Sequence, residues 1–441
     1  MTGVSAPRAV DLAGAAAAVL RGNDRGTHTV AAPSLYPHQW SWDAALVAVG
    51  LARLSVPRAI TELTSLLRAQ WSSGMIPHIV FTDAAGYFPG PDRWRTAGVA
   101  PAGVVTSGIC QPPVHAIAVY AIVAEGRRRG GSDRRSAEEF LSGTFDAWLA
   151  WHRWLADVRG RNGDALVEIH HSWESGMDNS PRWDIPYAAV HPGAMQDYTR
   201  LDNRHVADAA QRPSDADYRR YLWLVEQMVR VGWDDEVIAE HVDFRVGDVL
   251  VTALLAHASE LLAELAVDLG RGVVADELDG IARRCRTGVA QAVSPETGLA
   301  RDRDLRTGAW LDTPTVAGFA PLLCQPDPDR RADLVARLRG PRWAGHPTLR
   351  FAIPPTTAPD AAAYRPRTYW RGPQWPIIGW LLWWTARRYG DDDLAAQLRS
   401  ESLQQLADGT FAEYYEPESG QGLGSANQSW TAAVALDWLA S

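Results

Sequence analysis

The pattern of apolar and polar residues along the chain predicts an almost entirely helical protein. Apolar residues recur at three- and four-residue spacing, as at Trp148, Trp151 and Leu155, which is typical of one buried helix face. Hardly any stretch alternates with period two, so strands should be scarce. The pattern predicts helices over residues 10–21, 42–54, 57–70, 111–126, 136–156, 197–210, 216–232, 248–269, 273–293, 327–338, 371–389, 391–406 and 426–439.

Long loops rich in aromatic residues precede several of these helices. The longest covers residues 74–103, and a loop of that length in a compact domain usually has a function. We interpret residues 92–103 and 302–315 as loop insertions. No change of composition marks a second domain, and no tetratricopeptide or ankyrin signature marks a solenoid. A single all-α domain over residues 1–441 is therefore expected.

Composition excludes several classes of function. The net charge of −9 and the pI near 5.7 argue against a nucleic-acid or membrane partner. All 43 basic residues are arginine, which excludes lysine Schiff-base chemistry and a P-loop. No run of eighteen apolar residues occurs, and residues 15–20 are too short for a signal peptide. Cys110, Cys285 and Cys324 form neither a disulfide framework nor a CxxC site, so we predict a cytoplasmic chain.

Residues 172–184 (SWESGMDNSPRWD) combine three acids with two tryptophans. Carboxylates beside flat aromatic faces suit a site that holds a sugar ring and protonates one of its oxygens. The alternative is a surface turn with solvated acids, because Asn-Ser-Pro favours a turn. The twenty tryptophans as a group support the first interpretation. Many of them lie beside Gly, Pro, Asp or Gln, which favours sugar-stacking platforms over core filling.

Three further blocks carry similar chemistry: residues 36–43 (YPHQWSWD), 369–376 (YWRGPQWP) and 411–420 (FAEYYEPESG). In the first block, two tryptophans two residues apart precede Asp43 at the start of a helix, as expected of a sugar subsite. Asp43 could instead be the N-cap of that helix, or do both.

Together and in this order, the four blocks resemble glycoside hydrolase family 63, and within it the bacterial mannosylglycerate and glucosylglycerate hydrolases. The resemblance spans about residues 33–431. It implies an (α/α)6 barrel whose long aromatic-rich loops form the active site. It also implies an inverting α-glycosidase that needs neither a metal nor another cofactor.

The resemblance implies which carboxyl groups act. Glycoside hydrolysis needs two of them, one on each side of the scissile bond. Asp178 matches the general acid of the family and Glu413 matches its general base, which activates water. Glu416 and Glu418 lie near Glu413, and we interpret both as solvated loop acids.

The resemblance also implies the substrate contacts. Arg212 and Tyr218 match an Arg and a Tyr that hold the glycerate carboxylate, and a planar guanidinium suits that role. Arg212 could instead be an ordinary surface residue, His78 could be structural, and Arg371 could be the partner of a catalytic carboxylate. The remaining predicted contacts are Tyr36, Trp40, Trp42, Asp43, His78, Tyr87, Gln111, Trp173, Gly176, Tyr369, Trp370, Gln374 and Trp375.

Other functions stay open at this point. A family 63 glucosidase that acts on a neutral di- or oligosaccharide would not need Arg212. A catalytically inactive sugar-binding barrel would not need both Asp178 and Glu413. A zinc-dependent α-barrel enzyme would need a Cys and a Cys-His pair, which the sequence lacks. The Arg- and Ala-rich composition is typical of a GC-rich bacterial genome and favours glucosylglycerate over mannosylglycerate. The expected partner is a small sugar substrate, and the sequence leaves a homo-oligomer open.

Overall fold

Helices dominate the structure, a computed structural model that describes residues 11–82, 87–202, 208–325 and 327–441. Within these residues we number sixteen α-helices. They are α1 (Leu12–Asn23), α2 (Ser41–Leu54), α3 (Val56–Leu67), α4 (Pro91–Trp94), α5 (His115–Arg129), α6 (Gly131–Asp157), α7 (Asp184–Ala188), α8 (Asp215–Arg230), α9 (Asp235–His241), α10 (Val249–Asp268), α11 (Gly272–Gln291), α12 (Pro321–Cys324), α13 (Pro328–Arg339), α14 (Pro376–Tyr389), α15 (Asp392–Gln405) and α16 (Ser429–Leu439).

The predicted helices are confirmed with shifts of a few residues at their ends, apart from one. The exception is the helix predicted over residues 197–210. Residues 197–201 are not helical, residues 203–207 lie outside the described residues, and Ala209–Gln211 is a short 3₁₀ turn. A tertiary contact takes the place of helical hydrogen bonds here. Arg93 Nη2 donates to the backbone carbonyls of Gln196 and Asp197, which would accept from backbone N–H groups if the segment were a helix.

Six helices pack one after another around the core. α2 packs against α5, α5 against α10, α10 against α12, α12 against α14, α14 against α16, and α16 back against α2. Each has an outer neighbour: α3 on α2, α6 on α5, α11 on α10, α13 on α12, α15 on α14 and α1 on α16. The inner helices are apolar on most sides because they contact other helices on most sides.

Small residues allow the inner helices to approach closely. Gly50 of α2 faces Ala433 of α16, and a Cβ atom on Gly50 would lie 2.4 Å from the Cα atom of Ala433. α10 has the length and composition of a membrane-crossing helix, but 89% of its most apolar window is buried between neighbouring helices. Its apolar character therefore fits the helix core.

In the part of the chain that the structure describes, eight short strands lie in the loops at the ends of the helices. They are β1 (Gln39–Trp40), β2 (Ile79–Val80), β3 (Val167–Ile169), β4 (Val246–Asp248), β5 (Asp302–Asp304), β6 (Trp310–Leu311), β7 (Tyr414–Tyr415) and β8 (Gly422–Leu423). All pairs are antiparallel: β1 with β2, β7 with β8, and a four-stranded sheet ordered β3-β4-β5-β6. Residues 302–315, predicted to be a loop insertion, therefore form the outer half of this sheet.

Candidate active site

A cavity opens among these loops, with about 740 Å³ of empty space that includes its opening to solvent. It lies near the N-terminal ends of α2 and α16. All predicted site residues except Trp370, Gln374 and Trp375 line it. The lining residues are Tyr36, Trp40, Trp42, Asp43, His78, Ile79, Tyr87, Pro89, Gln111, Trp173, Gly176, Asp178, Arg212, Pro213, Tyr218, Tyr221, Tyr369, Glu413, Gln428 and Trp430.

Close packing positions the loop that carries Asp178. The loop turns at Gly176, whose φ of +71° favours glycine. A Cβ atom at Gly176 would lie 2.7 Å from the indole of Trp42, so the loop reaches this position only with glycine there. Arg182 anchors the far end of the loop, with Nη1 at 2.9 Å from the Asp302 carboxylate and 3.5 Å from that of Asp248.

Asp178 lies in the cavity in an environment that favours its protonated form. Burial raises the pKa of the Asp178 carboxyl to about 7, nearby Arg212 opposes this, and the charge of Glu413 adds to it. Among the described residues, only its own backbone N–H stabilises the ionised form through a hydrogen bond. Asp178 can therefore hold a proton near neutral pH, as a general acid must.

Glu174 lies four residues before Asp178 and has the opposite environment. Two guanidinium nitrogens of Arg159 donate to its carboxylate at 2.9 Å, and the His170 backbone N–H donates at 2.7 Å. Burial opposes ionisation, but Arg159 and His170 outweigh it and lower the pKa of Glu174 to about 2. Glu174 is thus an ionised anchor of the loop that cannot serve as a proton donor.

Glu413 projects into the cavity from the segment just before β7 and has dedicated hydrogen-bond donors. The Tyr36 hydroxyl donates to its Oε1 at 2.9 Å, and the Ser425 backbone N–H donates to its Oε2 at 3.0 Å. Burial raises the pKa of Glu413, whereas Arg212, Ser425 and Tyr36 all stabilise the carboxylate. These donors suit a group that must be ionised in order to accept a proton from water.

Glu416 is buried, so its interpretation as a solvated loop acid is wrong. Its carboxylate accepts from the backbone N–H and the hydroxyl of Ser419 and from the Glu418 backbone N–H, and so it caps the turn before β8. Glu418 is exposed, as predicted. Among the three acids of this segment, only Glu413 lines the cavity.

Asp43 is a third carboxyl group in the cavity. It lies in the first turn of α2, whose N-cap is Trp40, so the interpretation of Asp43 as an N-cap is wrong. Burial raises its pKa well above the ordinary range, and the charges of Glu413 and Asp178 raise it further. Its environment therefore favours the protonated form of this carboxyl group.

Arg212 is buried, with 9% of its surface exposed, so it is not an ordinary surface residue. Its Nη1 donates to the Tyr36 hydroxyl at 3.0 Å, and its Nε lies 3.5 Å from the Asp202 carboxylate. Its guanidinium carbon lies over the Tyr369 ring at 4.3 Å. Among the described residues, Nη2 has no hydrogen-bond partner, so this nitrogen is available to an incoming anion.

Aromatic rings form much of the remaining wall. Trp40 packs edge-on against Tyr36 and Tyr87, with ring centroids 5.3 and 5.4 Å away. His78 stacks on Trp173, and its Nδ1 lies 2.6 Å from the Ser107 hydroxyl. Burial lowers the pKa of His78 to about 3, so its ring is neutral.

The hydrogen bonds of Gln111 and Tyr218 tie the wall to its surroundings. Gln111 Oε1 accepts from the Trp42 backbone N–H at 3.3 Å. The hydroxyl of Tyr218 lies 3.5 Å from the Phe88 carbonyl.

Trp370, Gln374 and Trp375 lie behind the wall, which corrects their prediction as direct sugar contacts. The two indoles stack with centroids 3.5 Å apart, and Trp375 Nε1 donates to the Tyr369 carbonyl at 3.1 Å. Gln374 donates to two backbone carbonyls of residues 351–353. The two tryptophans contact Tyr369, whose φ of +39° is unusual for a residue with a side chain.

Most tryptophans and Arg371 also lie elsewhere than predicted. Most tryptophans fill the core, and only Trp40, Trp42, Trp173 and Trp430 line the cavity. Arg371 pairs with Asp184 at 2.7 Å and with neither Asp178 nor Glu413. The fully buried tryptophans are Trp94, Trp148, Trp151, Trp154, Trp183, Trp370, Trp375, Trp380, Trp383 and Trp438.

Several residues of the site were not predicted. Trp430 and Gln428 lie at the start of α16, where the apolar pattern indicates core and no local motif marks a site. Tyr221 follows Tyr218 by three residues on α8, so helical spacing from Tyr218 could have identified it. Asp202, which contacts Arg212, carries no sequence signal. The other missed lining residues are Ile79, Pro89 and Pro213.

The described residues contain no group of three or more His, Cys, Asp or Glu side chains that could hold a metal ion, and their three cysteines are free and buried. The arrangement is two buried carboxyl groups with different hydrogen-bond donors in a single aromatic cavity, with an arginine beside them. Such a site can protonate a leaving oxygen while it activates a water molecule.

Comparison with known proteins identifies the family of the chain. The family described as "Mannosylglycerate hydrolase MGH1-like glycoside hydrolase domain" matches residues 36–431. A glucosylglycerate hydrolase of Mycolicibacterium hassiacum is 52% identical and covers 97% of both chains. A mannosylglycerate hydrolase of Thermus thermophilus is 39% identical over 95% of this chain and 98% of its own. The crystal structure of a GH63 mannosylglycerate hydrolase from Thermus thermophilus in complex with Tris and D-glycerate has a TM-score of 0.89 at 38% identity, covering 97% of this chain and 100% of that one.

Proposed function

The chain belongs to the mannosylglycerate hydrolase MGH1-like glycoside hydrolases, and we propose on that basis that it hydrolyses an α-linked glucosyl- or mannosylglycerate to the sugar and glycerate. The single observation that carries the proposal is the buried Arg212 beside the carboxyl pair Asp178 and Glu413. The higher identity to a glucosylglycerate hydrolase favours the glucosyl substrate.

In the proposed reaction, protonated Asp178 donates its proton to the glycosidic oxygen as the bond to the anomeric carbon breaks. Glu413 takes a proton from a water molecule, whose oxygen attacks that carbon from the opposite face. One displacement of this kind inverts the configuration. We therefore expect the two carboxyl groups to lie about 6.5–9.5 Å apart, which leaves room for the water.

The aglycone is proposed to bind through its carboxylate. Arg212 has Nη2 available among the described residues, and its other nitrogens are oriented by Tyr36 and Asp202. Tyr218 lines the same cavity and would add its hydroxyl. Asp43, Trp42 and Trp173 are proposed to hold the sugar ring.

Two alternatives are less well supported. A neutral disaccharide would leave the buried charge of Arg212 without a partner on the substrate, which is costly in a low-dielectric site. An inactive sugar-binding barrel would not require Asp178 and Glu413 to differ so clearly in their hydrogen-bond donors.

We also propose that the helices form one closed barrel. The cycle of contacts α2-α5-α10-α12-α14-α16 with its six outer neighbours supports a closed (α/α)6 barrel formed by one domain over residues 1–441. Free, buried cysteines are compatible with a cytoplasmic enzyme whose partner is a small sugar substrate.

The test is a hydrolysis screen on glucosylglycerate, mannosylglycerate, kojibiose and trehalose, with the first anomer released followed by NMR. The proposal predicts turnover of a glycerate-linked substrate with the β-anomer appearing first. An α-anomer as the first product would contradict the single displacement. Faster turnover of kojibiose or trehalose would contradict the aglycone assignment.

A further inference from the structure

The hydroxyl of Tyr36 lies between the arginine and the base. Arg212 Nη1 is 3.0 Å from this oxygen, and Glu413 Oε1 is 2.9 Å from it on the other side. The Tyr369 hydroxyl is a third neighbour, at 3.2 Å. Burial raises the pKa of Tyr36 well above its ordinary value, so its hydroxyl keeps its proton.

The chemistry of the three partners gives this chain of hydrogen bonds a direction. A guanidinium can only donate, and an ionised carboxylate can only accept. The single hydroxyl proton of Tyr36 therefore points to Glu413, while its oxygen accepts from Arg212 and Tyr369. The charge of Arg212 thus strengthens the hydrogen bond that holds Glu413 as a carboxylate.

We propose that Tyr36 is a positioning residue that couples Arg212 to Glu413, so that a carboxylate bound at Arg212 makes Glu413 a stronger base. This inference rests on the proposed function, because it requires an anionic group at Arg212. It extends that function, because the glycerate end of the substrate then prepares the group that activates water.

The sign of the effect follows from the charges. The positive charge of Arg212 lowers the pKa values of both Glu413 and Asp178. A substrate carboxylate neutralises part of that charge, so both carboxyl groups should bind protons more tightly while the aglycone is in place. Coulomb interactions in a buried site are weakly screened, which makes the effect measurable.

Proton uptake by Glu413 must be distinguished from titration of the other groups near Glu413 and Asp178. The tyrosines among them have raised pKa values and stay neutral at ordinary pH. Asp43 can titrate, but no hydrogen bond connects it to Tyr36 among the described residues. Among the described residues, Asp202 faces Arg212 and not the two acids. The titratable and charged groups facing Glu413 or Asp178 there are Tyr36, Asp43, Tyr87, Tyr187, Arg212, Tyr221, Tyr369 and Tyr414.

The experiment measures proton uptake when D-glycerate binds. Calorimetric titrations of the Asp178→Asn protein are run in buffers of different ionisation enthalpy from pH 4 to 8, because Asp178 then cannot contribute. A rise of one unit in the pKa of Glu413 would give uptake of up to about half a proton near the midpoint. Glycerol, which lacks the carboxylate, should cause no uptake.

Two double variants locate the coupling. Asp178→Asn with Tyr36→Phe removes the hydroxyl between Arg212 and Glu413 and should reduce the uptake at least twofold. Asp178→Asn with Tyr414→Phe removes a buried hydroxyl from the residue beside Glu413, but that hydroxyl bonds the Gln211 carbonyl. This control should keep the full uptake.

The outcomes separate this inference from the proposed function. Binding of D-glycerate without uptake, or with equal uptake in the Tyr36→Phe background, overturns the coupling and leaves the hydrolase assignment intact. No binding at all overturns the carboxylate site and therefore both.

A second measurement uses the wild-type protein, in case Tyr36→Phe does not fold. With glucosylglycerate, the acidic limb of the kcat–pH profile should lie up to about one pH unit higher than with neutral glucosylglycerol. Coincident limbs would overturn the coupling.

Discussion

Residues 172–184 and 411–425 each carry one acid into the cavity and one buried acid that stays outside it. In each segment, the acid outside the cavity has several donors: Arg159 and His170 for Glu174, and Ser419 and Glu418 for Glu416. The acids inside differ from each other. Asp178 has only its own backbone N–H, whereas Glu413 has Tyr36 and Ser425.

This comparison shows that burial alone does not assign a role to a carboxyl group. Asp178 and Glu174 are both buried and only four residues apart, yet the pKa is about 7 for the first and about 2 for the second. The charges near each carboxyl, and then its hydrogen-bond donors, decide the difference. Substitutions at each of these acids can break or confirm that distinction.

The largest effect should come from the two acids inside the cavity. We predict that Asp178→Asn and Glu413→Gln each lower kcat by about 10²- to 10⁴-fold, the usual contribution of a general acid or base. Circular dichroism should show an unchanged fold. Glu416→Gln is the matched control and should keep the wild-type rate within a few-fold. A near-normal rate for Glu413→Gln together with a large loss for Glu416→Gln would mean that the base is misassigned.

Glu174 should affect stability more than chemistry. Glu174→Gln leaves the buried charge of Arg159 without its partner, and breaking a buried ion pair typically costs about 3–5 kcal/mol of unfolding free energy. Urea unfolding of the two single variants Glu174→Gln and Asp178→Asn, compared with wild type, measures the loss of unfolding free energy. The Asp178 variant should be at least as stable as wild type, because its native carboxyl has no cationic hydrogen-bond partner. Equal losses in the two variants would contradict the distinction drawn between these acids.

The stability due to Glu174 should depend on pH. Its pKa is lower in the folded state than in the unfolded chain, so this contribution is fully present above the unfolded value of about 4.3. It should be lost as the pH falls towards about 2. In Glu174→Gln that part of the acid dependence should be missing.

Arg212 should affect specificity. Arg212→Ala should reduce kcat/KM for glucosylglycerate by about 10- to 150-fold relative to a neutral glucoside, since a charge-assisted bidentate contact contributes about 1.5–3 kcal/mol. Arg212→Lys should restore only part of the loss, because an ammonium lacks the planar fork. The ratio of the two specificity constants before and after substitution is the measurement. An unchanged ratio would give Arg212 a purely structural role.

The smallest effect concerns pH. The folded pKa of Asp178 is raised to about 7, so the catalytically competent protonated form is lost as the pH rises through that value. Above it, kcat/KM, which reports the free enzyme, should fall by about tenfold per pH unit. The same shift means that ionised Asp178 opposes folding: its effect is absent below about pH 4 and reaches its maximum above pH 7. A kcat/KM that stays flat to pH 9 would contradict its role as the acid.

Part of the site was predictable because local motifs carry it. The block 172–184 places Asp178 after a glycine turn, and the block 411–420 places Glu413 before a short strand. Trp40, Trp42 and Asp43 lie at the start of a strongly apolar helix, where side chains near the end of the helix can reach a cavity. The prediction of direct sugar contacts was wrong for Trp370, Gln374 and Trp375. A motif does not say which of its side chains face the cavity and which face the core.

Local sequence was enough to predict the long helices, whereas the two candidate carboxyl groups were identified through the resemblance of their motifs to a known family. Apolar periodicity over more than ten residues is a local property, so α5, α6, α10 and α14 could be predicted without knowing their neighbours. Short helices such as α12, and the non-helical course of residues 197–201, depend on tertiary contacts and could not.

Which acid holds a proton, by contrast, depends on contacts that form only in the folded chain. Arg159 reaches Glu174 from fifteen residues earlier in the chain, while Tyr36 reaches Glu413 from the opposite end of the sequence. Proton affinity depends on charges and donors within a few ångströms, whatever their separation in sequence. The resemblance of two sequence motifs to a known family therefore pointed to the acids, and the folded chain gives each of them its own surrounding charges and hydrogen-bond donors.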